Sequence, residues 1–199
     1  MTELLYTTDA YVREFQAIVV EHVDGGVVLD RTAFYPGGGG QPCDTGSLSA
    51  DADTWPVTAV KKVNGELVHF IEGDLPAVEA VVTGVLDWER RYHLMRTHTA
   101  MHILCGVVFR DYGAQVTGGN MDPLQGRMDF EFETMRHELV AAIEEAVNAE
   151  VAAARPVRVR ILPRDEAFAI PDLIRTKINL LPEGIAEVRT VELVGLDLQ

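Results

Sequence analysis

The chain has 199 residues, 47% hydrophobic and 24% charged, the composition of a folded protein with room for one large domain or two small ones. Its 17 Lys and Arg against 31 Asp and Glu leave a formal charge of -14, which opposes non-specific hold on a polyanion and so argues against an RNA partner as well as a DNA one. No apolar run reaches the roughly 18 residues that span a bilayer, the start Met1-Thr2-Glu3-Leu4-Leu5 lacks the pattern of a secretion signal, and two cysteines, Cys43 and Cys105, make no disulfide framework. These features lead us to expect a soluble, cytoplasmic protein with reduced thiols and no membrane partner.

From Tyr11 to Leu86 the sequence reads as short strands and tight turns. Phe15 to His22 is followed by Asp24-Gly25-Gly26 and then Val27 to Leu29, the signature of a hairpin. Val57 to Val63 turns at Asn64-Gly65 and returns through Glu66 to Phe70, a second hairpin. Val78 to Leu86 reads as one more strand. Several short strands without a long helix predict a small barrel or sandwich.

At Asp87 the apolar period changes from two to about 3.6, and Asp87 can cap a helix running to about Phe109. A domain boundary is placed there, giving residues 1–86 and 87–199. Arg127 to Phe132 alternates as a strand, and Thr134 can cap a helix bearing Leu139, Ile143, Val147 and Val151. Val157 to Ile161 alternates again, and Glu187 to Leu198 reads as a strand or two. The second part therefore mixes helices with a mainly antiparallel sheet, and the chain as a whole is α+β. Arg155, Arg158, Arg160 and Arg164 cluster within ten residues, as either a basic patch for RNA or a solvated strand face.

Two segments carry chemistry. His98-Thr-Ala-Met-His102 lies inside the predicted helix, where a spacing of four stacks both imidazoles on one face so that they can share a metal. Met95, Cys105 and Phe109 fall on the same stripe, so the pair should face the interior. Buried adjacent imidazoles need hydrogen bonds or a metal, and the spacing alone leaves both readings open. Cys105 suits a packed thiol better than a third ligand. His22, His69, His93 and His137 are isolated and read as surface or satisfied core residues.

The second segment is Phe34-Tyr35-Pro36-Gly37-Gly38-Gly39-Gly40-Gln41. Four consecutive glycines are entropically expensive to order, and they suggest close approach of a ligand to the backbone, the alternative being a flexible hairpin end. The loop lacks the Lys-Ser/Thr ending of a nucleotide P-loop, and no Gly-x-Ser-x-Gly elbow supports a serine nucleophile.

Taken together, Phe34 to Gly46 and His98-Thr-Ala-Met-His102-Ile-Leu resemble the glycine-rich motif and the zinc helix of the AlaX family, relatives of the editing region of alanyl-tRNA synthetase. Arg127-Met-Asp-Phe130 and Val191 to Gln199 also resemble family segments, so the likeness covers nearly the whole chain in the expected order. The resemblance is to the medium-length type. It implies a translation-protein-like N-terminal β-barrel followed by a two-layer α/β editing domain, like the second additional domain of threonyl- and alanyl-tRNA synthetases. It implies one zinc held by His98 and His102, with Gly38, Gly39, Gly40 and Gln41 lining the site. The expected partner is mischarged tRNA for alanine, bearing serine or glycine, whose ester is hydrolysed without a protein nucleophile. The family's remaining ligands stand in a Cys-x-x-x-His element just beyond a segment like Leu196 to Gln199, so either the sequence is truncated before that element or this member lacks half the ligands. The family pattern is departed from at Gly37, and Met101, Gly118 and Met121 stand where the synthetase domains carry Thr and a polar pair. Two alternatives remain open: a catalytically inactive tRNA-binding relative, and a metal hydrolase of a small ester or amide.

Overall fold

The computed structural model describes residues 2–132, 136–171, 173, 181 and 184–198. It divides into two compact units, Met1–Met95 with Met121–Leu124, and Arg96–Asn120 with Gln125–Gln199.

The first unit contains β1 (Glu3–Leu4), a 3-10 turn (Leu5–Thr7), β2 (Glu14–Val23), β3 (Gly26–Leu29), β4 (Arg31–Thr32), β5 (Gly46–Ala50), β6 (Asp53–Val63), β7 (Glu66–Ile71) and β8 (Val81–Leu86). Six of them close a barrel in the order β2-β3-β7-β6-β5-β8. The turns that permit this are written in the sequence: Asp24 and Gly25 have φ of 49° and 80°, Asn64 and Gly65 of 50° and 93°. Both central residues are left-handed, as a type I′ hairpin turn requires. Along β2, Phe15, Ala17 and Val19 point inward and are buried while their neighbours face out. Phe34 and Leu48 are wholly buried in the same core, and burying each such side chain contributes about 1.5–3 kcal/mol.

A polar pair, His69 and Thr32, is buried in this unit. His69 is buried and satisfied, its Nδ1–H donating to the Val27 carbonyl at 3.2 Å and its Nε2 accepting from Thr32 Oγ1 at 2.8 Å. Burial pushes its pKa down to about 4, so the ring is neutral near pH 7.

α1 (Trp88–Tyr112) begins where expected: the Arg90 amide donates to Asp87 Oδ1 at 3.1 Å. It ends at Gly113, left-handed at φ 67°, whose amide returns to the Phe109 carbonyl. The sequence boundary at Asp87 coincides with the start of this helix, whereas the compact units divide within it, after Met95. Beyond it come β9 (Val116–Asp122), β10 (Gln125–Phe130), α2 (His137–Ala153), β11 (Val157–Pro163), α3 (Arg164–Phe168), β12 (Glu187–Leu193) and β13 (Asp197–Leu198). β9 and β10 form a hairpin, and β11-β12-β13 form an antiparallel sheet. On one side of that sheet Val107 of α1 packs with Leu193 and Leu196, while Leu162 and Val188 join Ala167 and Leu173 in a separate cluster. The architecture is α+β, as the sequence predicts, and the first part is a closed barrel rather than a sandwich.

Some expected elements shift. The strand expected from Val78 begins at Val81, because Glu79 takes a left-handed φ of 71°. The strand expected over Arg127 to Phe132 runs Gln125–Phe130. Thr134, expected to cap α2, and Gln199 lie outside the described residues.

Candidate metal centre and glycine hairpin

His98 and His102 lie one turn apart on α1 in the second unit, with ring centroids 4.7 Å apart and their Nε2 atoms 3.1 Å from each other. A carboxylate sets the orientation: His102 Nδ1 donates to Asp197 Oδ2 at 2.8 Å, and the Asp197 side chain is only 1% exposed. A carboxylate accepts this bond from the Nδ1–H, and the neutral tautomer so held turns its Nε2 lone pair towards His98. Burial, with help from the charges of His102 and Arg189, lowers the His98 pKa to about 4. Near neutral pH His98 is therefore the uncharged base that a metal requires.

The spacing of the two nitrogens suits zinc. Two nitrogens bound to a tetrahedral zinc at about 2.0–2.1 Å stand about 3.3 Å apart, close to the 3.1 Å seen here. The Asp197–His102 contact is the carboxylate–imidazole arrangement that fixes the tautomer of metal-bound histidines. An N–H···N hydrogen bond from His98 to His102 satisfies the same distance. Among the described residues no group of three or more His, Cys, Asp or Glu is placed to hold a metal, so the pair could supply two positions only. Cys105 is buried.

Met101, between the two histidines, packs on the β9–β10 hairpin. A Cβ at Gly126 would lie 2.9 Å from Met101 Sδ, and one at Gly119 would lie 3.5 Å from Met101 Cε. The missing side chain at Gly126 is what lets the thioether approach, whereas a Cβ at Gly119 would only be in ordinary contact with it.

The glycine segment belongs to the first unit and is an ordered turn. Gly38 and Gln41 form an antiparallel bridge, with N–H···O distances of 2.9 and 3.1 Å, enclosing Gly39 at φ 60° and Gly40 at φ 81°. It is a two-residue hairpin that needs left-handed backbone at both tip positions. The amides of Gly38 and Gln41 are thus committed to each other, and a Cβ at Gly39 would meet nothing within 4 Å. The Gly40 carbonyl accepts from the Met121 amide at 3.0 Å.

Sequence reasoning missed what fixes this hairpin. The Arg91 guanidinium donates to both oxygens of Asp44, and also to the carbonyls of Ala10 and Ala33 at 2.8 and 2.6 Å. Asp44 in turn accepts from the Tyr35 amide at 2.6 Å. Arg90 adds two bonds to the Cys43 carbonyl. The signal was Asp44 beside the glycines and an Arg pair at the start of a helix, but nothing in the sequence joins residues so far apart. Asp197 was missed likewise; a lone acid between Leu196 and Leu198 needs a partner if buried, which is the clue it offered.

The arginine cluster divides. Arg155 pairs with Glu150, Arg158 stands 3.5 Å from Glu192, and Arg164 lies over the Phe168 ring. Arg158 and Arg160, two residues apart on β11, are both exposed and share a face of the strand.

An antiparallel barrel together with a long helix that carries a carboxylate-oriented histidine pair defines the class as an α+β protein with a candidate metal centre on a helix. Residues 6–90 match the family described as tRNA synthetases class II (A). The AlaX-M alanyl-tRNA editing protein of Saccharolobus solfataricus is 41% identical over 203 residues, covering 100% of this chain and 84% of that protein. The AlaX-M protein of Methanosarcina barkeri is 39% identical, covering 100% and 85%. The alanine–tRNA ligase of Pyrobaculum neutrophilum is 39% identical over 202 residues, covering 100% of this chain but 22% of the ligase. The chain belongs to the AlaX-M family of alanyl-tRNA editing proteins.

Proposed function

We propose that this chain is an aminoacyl-tRNA deacylase that edits mischarged tRNA for alanine in trans, hydrolysing the ester of seryl-tRNA, with glycyl-tRNA as a second substrate, with the help of one zinc. Family membership supports the editing of tRNA. The observation that carries the zinc and the ester chemistry is the His98–His102 pair, with facing nitrogens and a tautomer fixed by Asp197. A zinc bound there would polarise the ester carbonyl and lower the pKa of a water. The chain's own part is to keep His98 neutral and to aim the two imidazoles at one point. An aminoacyl ester is already activated, so no protein nucleophile is needed. Serine and alanine cannot be sorted by size exclusion, since alanine is the smaller; discrimination needs a polar contact with the serine hydroxyl.

The role of Gly38, Gly39, Gly40 and Gln41 is part of the same proposal: the exposed hairpin tip borders the amino acid or the terminal adenosine. A bulky residue at Gly39 tests this: its Cβ would meet nothing within 4 Å, the left-handed φ of 60° puts a local strain on the turn, and a thermal melt checks that the barrel stays folded. Deacylation should fall with zinc content unchanged, and unaltered turnover would remove the hairpin from the site.

A second reading, a tRNA-binding relative without catalysis, is favoured by the lack of a third metal-binding side chain beside the pair among the described residues. Metal analysis of the purified chain separates the two. One zinc per chain, lost in His98→Ala and His102→Ala, supports the enzyme, and a metal-free wild type with unimpaired tRNA binding supports the other. Cytoplasmic placement belongs to the proposal too; no described helix is long and apolar enough to cross a membrane.

A further inference from the structure

Three aromatic rings meet on the surface of the first unit, just before β2 and at the start of α1. Tyr11 and Trp88 stand with ring centroids 5.7 Å apart, and Trp88 and Tyr92 are stacked with centroids 6.0 Å apart and planes inclined by 28°. The last two line up because residues four apart on a helix are neighbours. Both ends of this ladder are open, Tyr11 being 60% and Tyr92 43% exposed. Arg13, exposed as well, holds its guanidinium 4.2 Å above the Trp88 ring. Among the described residues that guanidinium makes no ion pair and no hydrogen bond, so its N–H donors are open to a ligand. None of the three rings belongs to the core of the barrel.

Rings left in water at the surface mark a place where something docks. Asp87 and Glu89 flank Trp88 in the chain, and the net charge is -14, so a polyanion is not held here by field alone. Stacking needs no net charge, because every base offers a π-face. Rings in series with one arginine are the parts that hold unpaired nucleotides: bases lie on the rings, and the planar guanidinium takes two oxygens of a phosphate. The part of a mischarged tRNA that a deacylase must hold is its unpaired 3′ end. We propose that Tyr11, Trp88 and Tyr92 form a stacking platform for the unpaired 3′ nucleotides of the tRNA, with Arg13 binding one of their phosphates. The inference rests on the deacylase reading, not on the zinc, and names how the chain grips its substrate.

The test follows Trp88 fluorescence in the 199-residue chain carrying Trp55→Phe, which leaves Trp88 as its one indole. The probes are the RNA tetranucleotide ACCA, the same strand without bases, and whole tRNA with and without its 3′ ACCA, with thermal melts to check folding. ACCA should quench Trp88, the baseless strand should bind far more weakly, and trimmed tRNA should compete with ACCA less well than whole tRNA. Tyr11→Ala and Tyr92→Ala should each weaken ACCA by about fivefold or more, the low end of one base–ring stack. Tyr11→Phe and Tyr92→Phe should keep the binding. Arg13→Gln should flatten the salt dependence from a log–log slope of about -0.7, one phosphate on a single strand, to near zero; this variant decides the matter if the Ala variants fail to fold. No quenching by ACCA, equal binding of the baseless strand, equal competition by trimmed tRNA, or unchanged affinity in a folded Ala variant overturns the platform. Self-association that Tyr92→Ala abolishes, with no RNA bound, overturns it too and gives the rings to a second copy. Release of serine from seryl-tRNA is measured separately. ACCA bound as expected with no serine released keeps the platform and loses the deacylase reading. Serine released equally fast by wild type and both Ala variants at subsaturating tRNA keeps that reading and loses the platform.

Discussion

The barrel and the histidine-bearing unit bury their apolar residues in different ways. The barrel gathers 12 buried residues into one cluster, whereas the second unit shows clusters of four, three and three among the described residues. A closed barrel has no edge, so every inward position is covered. The three-stranded sheet has edges, and on β11 Val157, Val159 and Ile161 are each about half exposed. The lesson is that the candidate metal centre is not held by a thick core. It depends on one buried carboxylate that fixes one imidazole, which is a directional restraint rather than a bulk one.

Four perturbations break or sharpen that contrast. The largest effect is expected in the first unit, at the buried Arg91–Asp44 pair. Arg91→Leu leaves the carboxylate without its cation and should lower stability by about 3–5 kcal/mol, read by chemical denaturation; a loss below about 1 kcal/mol would show that the clamp is dispensable. Acid comes next. His69 is held near 4 when folded against 6.5 when unfolded, so its contribution is complete above about pH 6.5 and is lost as pH falls towards 4, on the order of 3 kcal/mol. Denaturation at pH 7 and pH 4.5 should show that loss, and His69→Gln should remove its share of the slope. In the second unit Asp197→Asn should weaken zinc affinity by about 10–100-fold while stability changes little; unchanged affinity on titration would mean that the carboxylate does not serve a metal. The smallest effect belongs to the exposed stripe of β11, where Val159→Lys should shift stability by no more than about 0.5 kcal/mol. A larger loss would mean that this stripe is covered.

Much of this was legible in the sequence, for local reasons. Asp24-Gly25 and Asn64-Gly65 announce their hairpins because only left-handed residues fit those turns, and Asp87 announces α1 because its carboxylate reaches the first free amides. The histidine pair was legible because helical spacing alone stacks it. What was not legible is weakly patterned or long-range. β5 reads Gly-Ser-Leu-Ser-Ala with one large apolar residue, and β9 carries two glycines in its middle, so neither has the alternation that marks a strand. α3 is five residues long, too short for a helical period to appear. Asp44 and Asp197 gain their roles from partners 47 and 95 residues away, and no window along the chain contains both members of either pair.

The most direct test of the central claim is the release of serine from seryl-tRNA by the purified chain, followed with and without a zinc chelator, beside alanyl-tRNA. Serine released from the first, little alanine from the second, and arrest by the chelator with recovery on adding zinc are the predicted results. Release that continues unchanged after the metal is stripped, or in His98→Ala, would contradict a deacylase built on the two facing imidazoles.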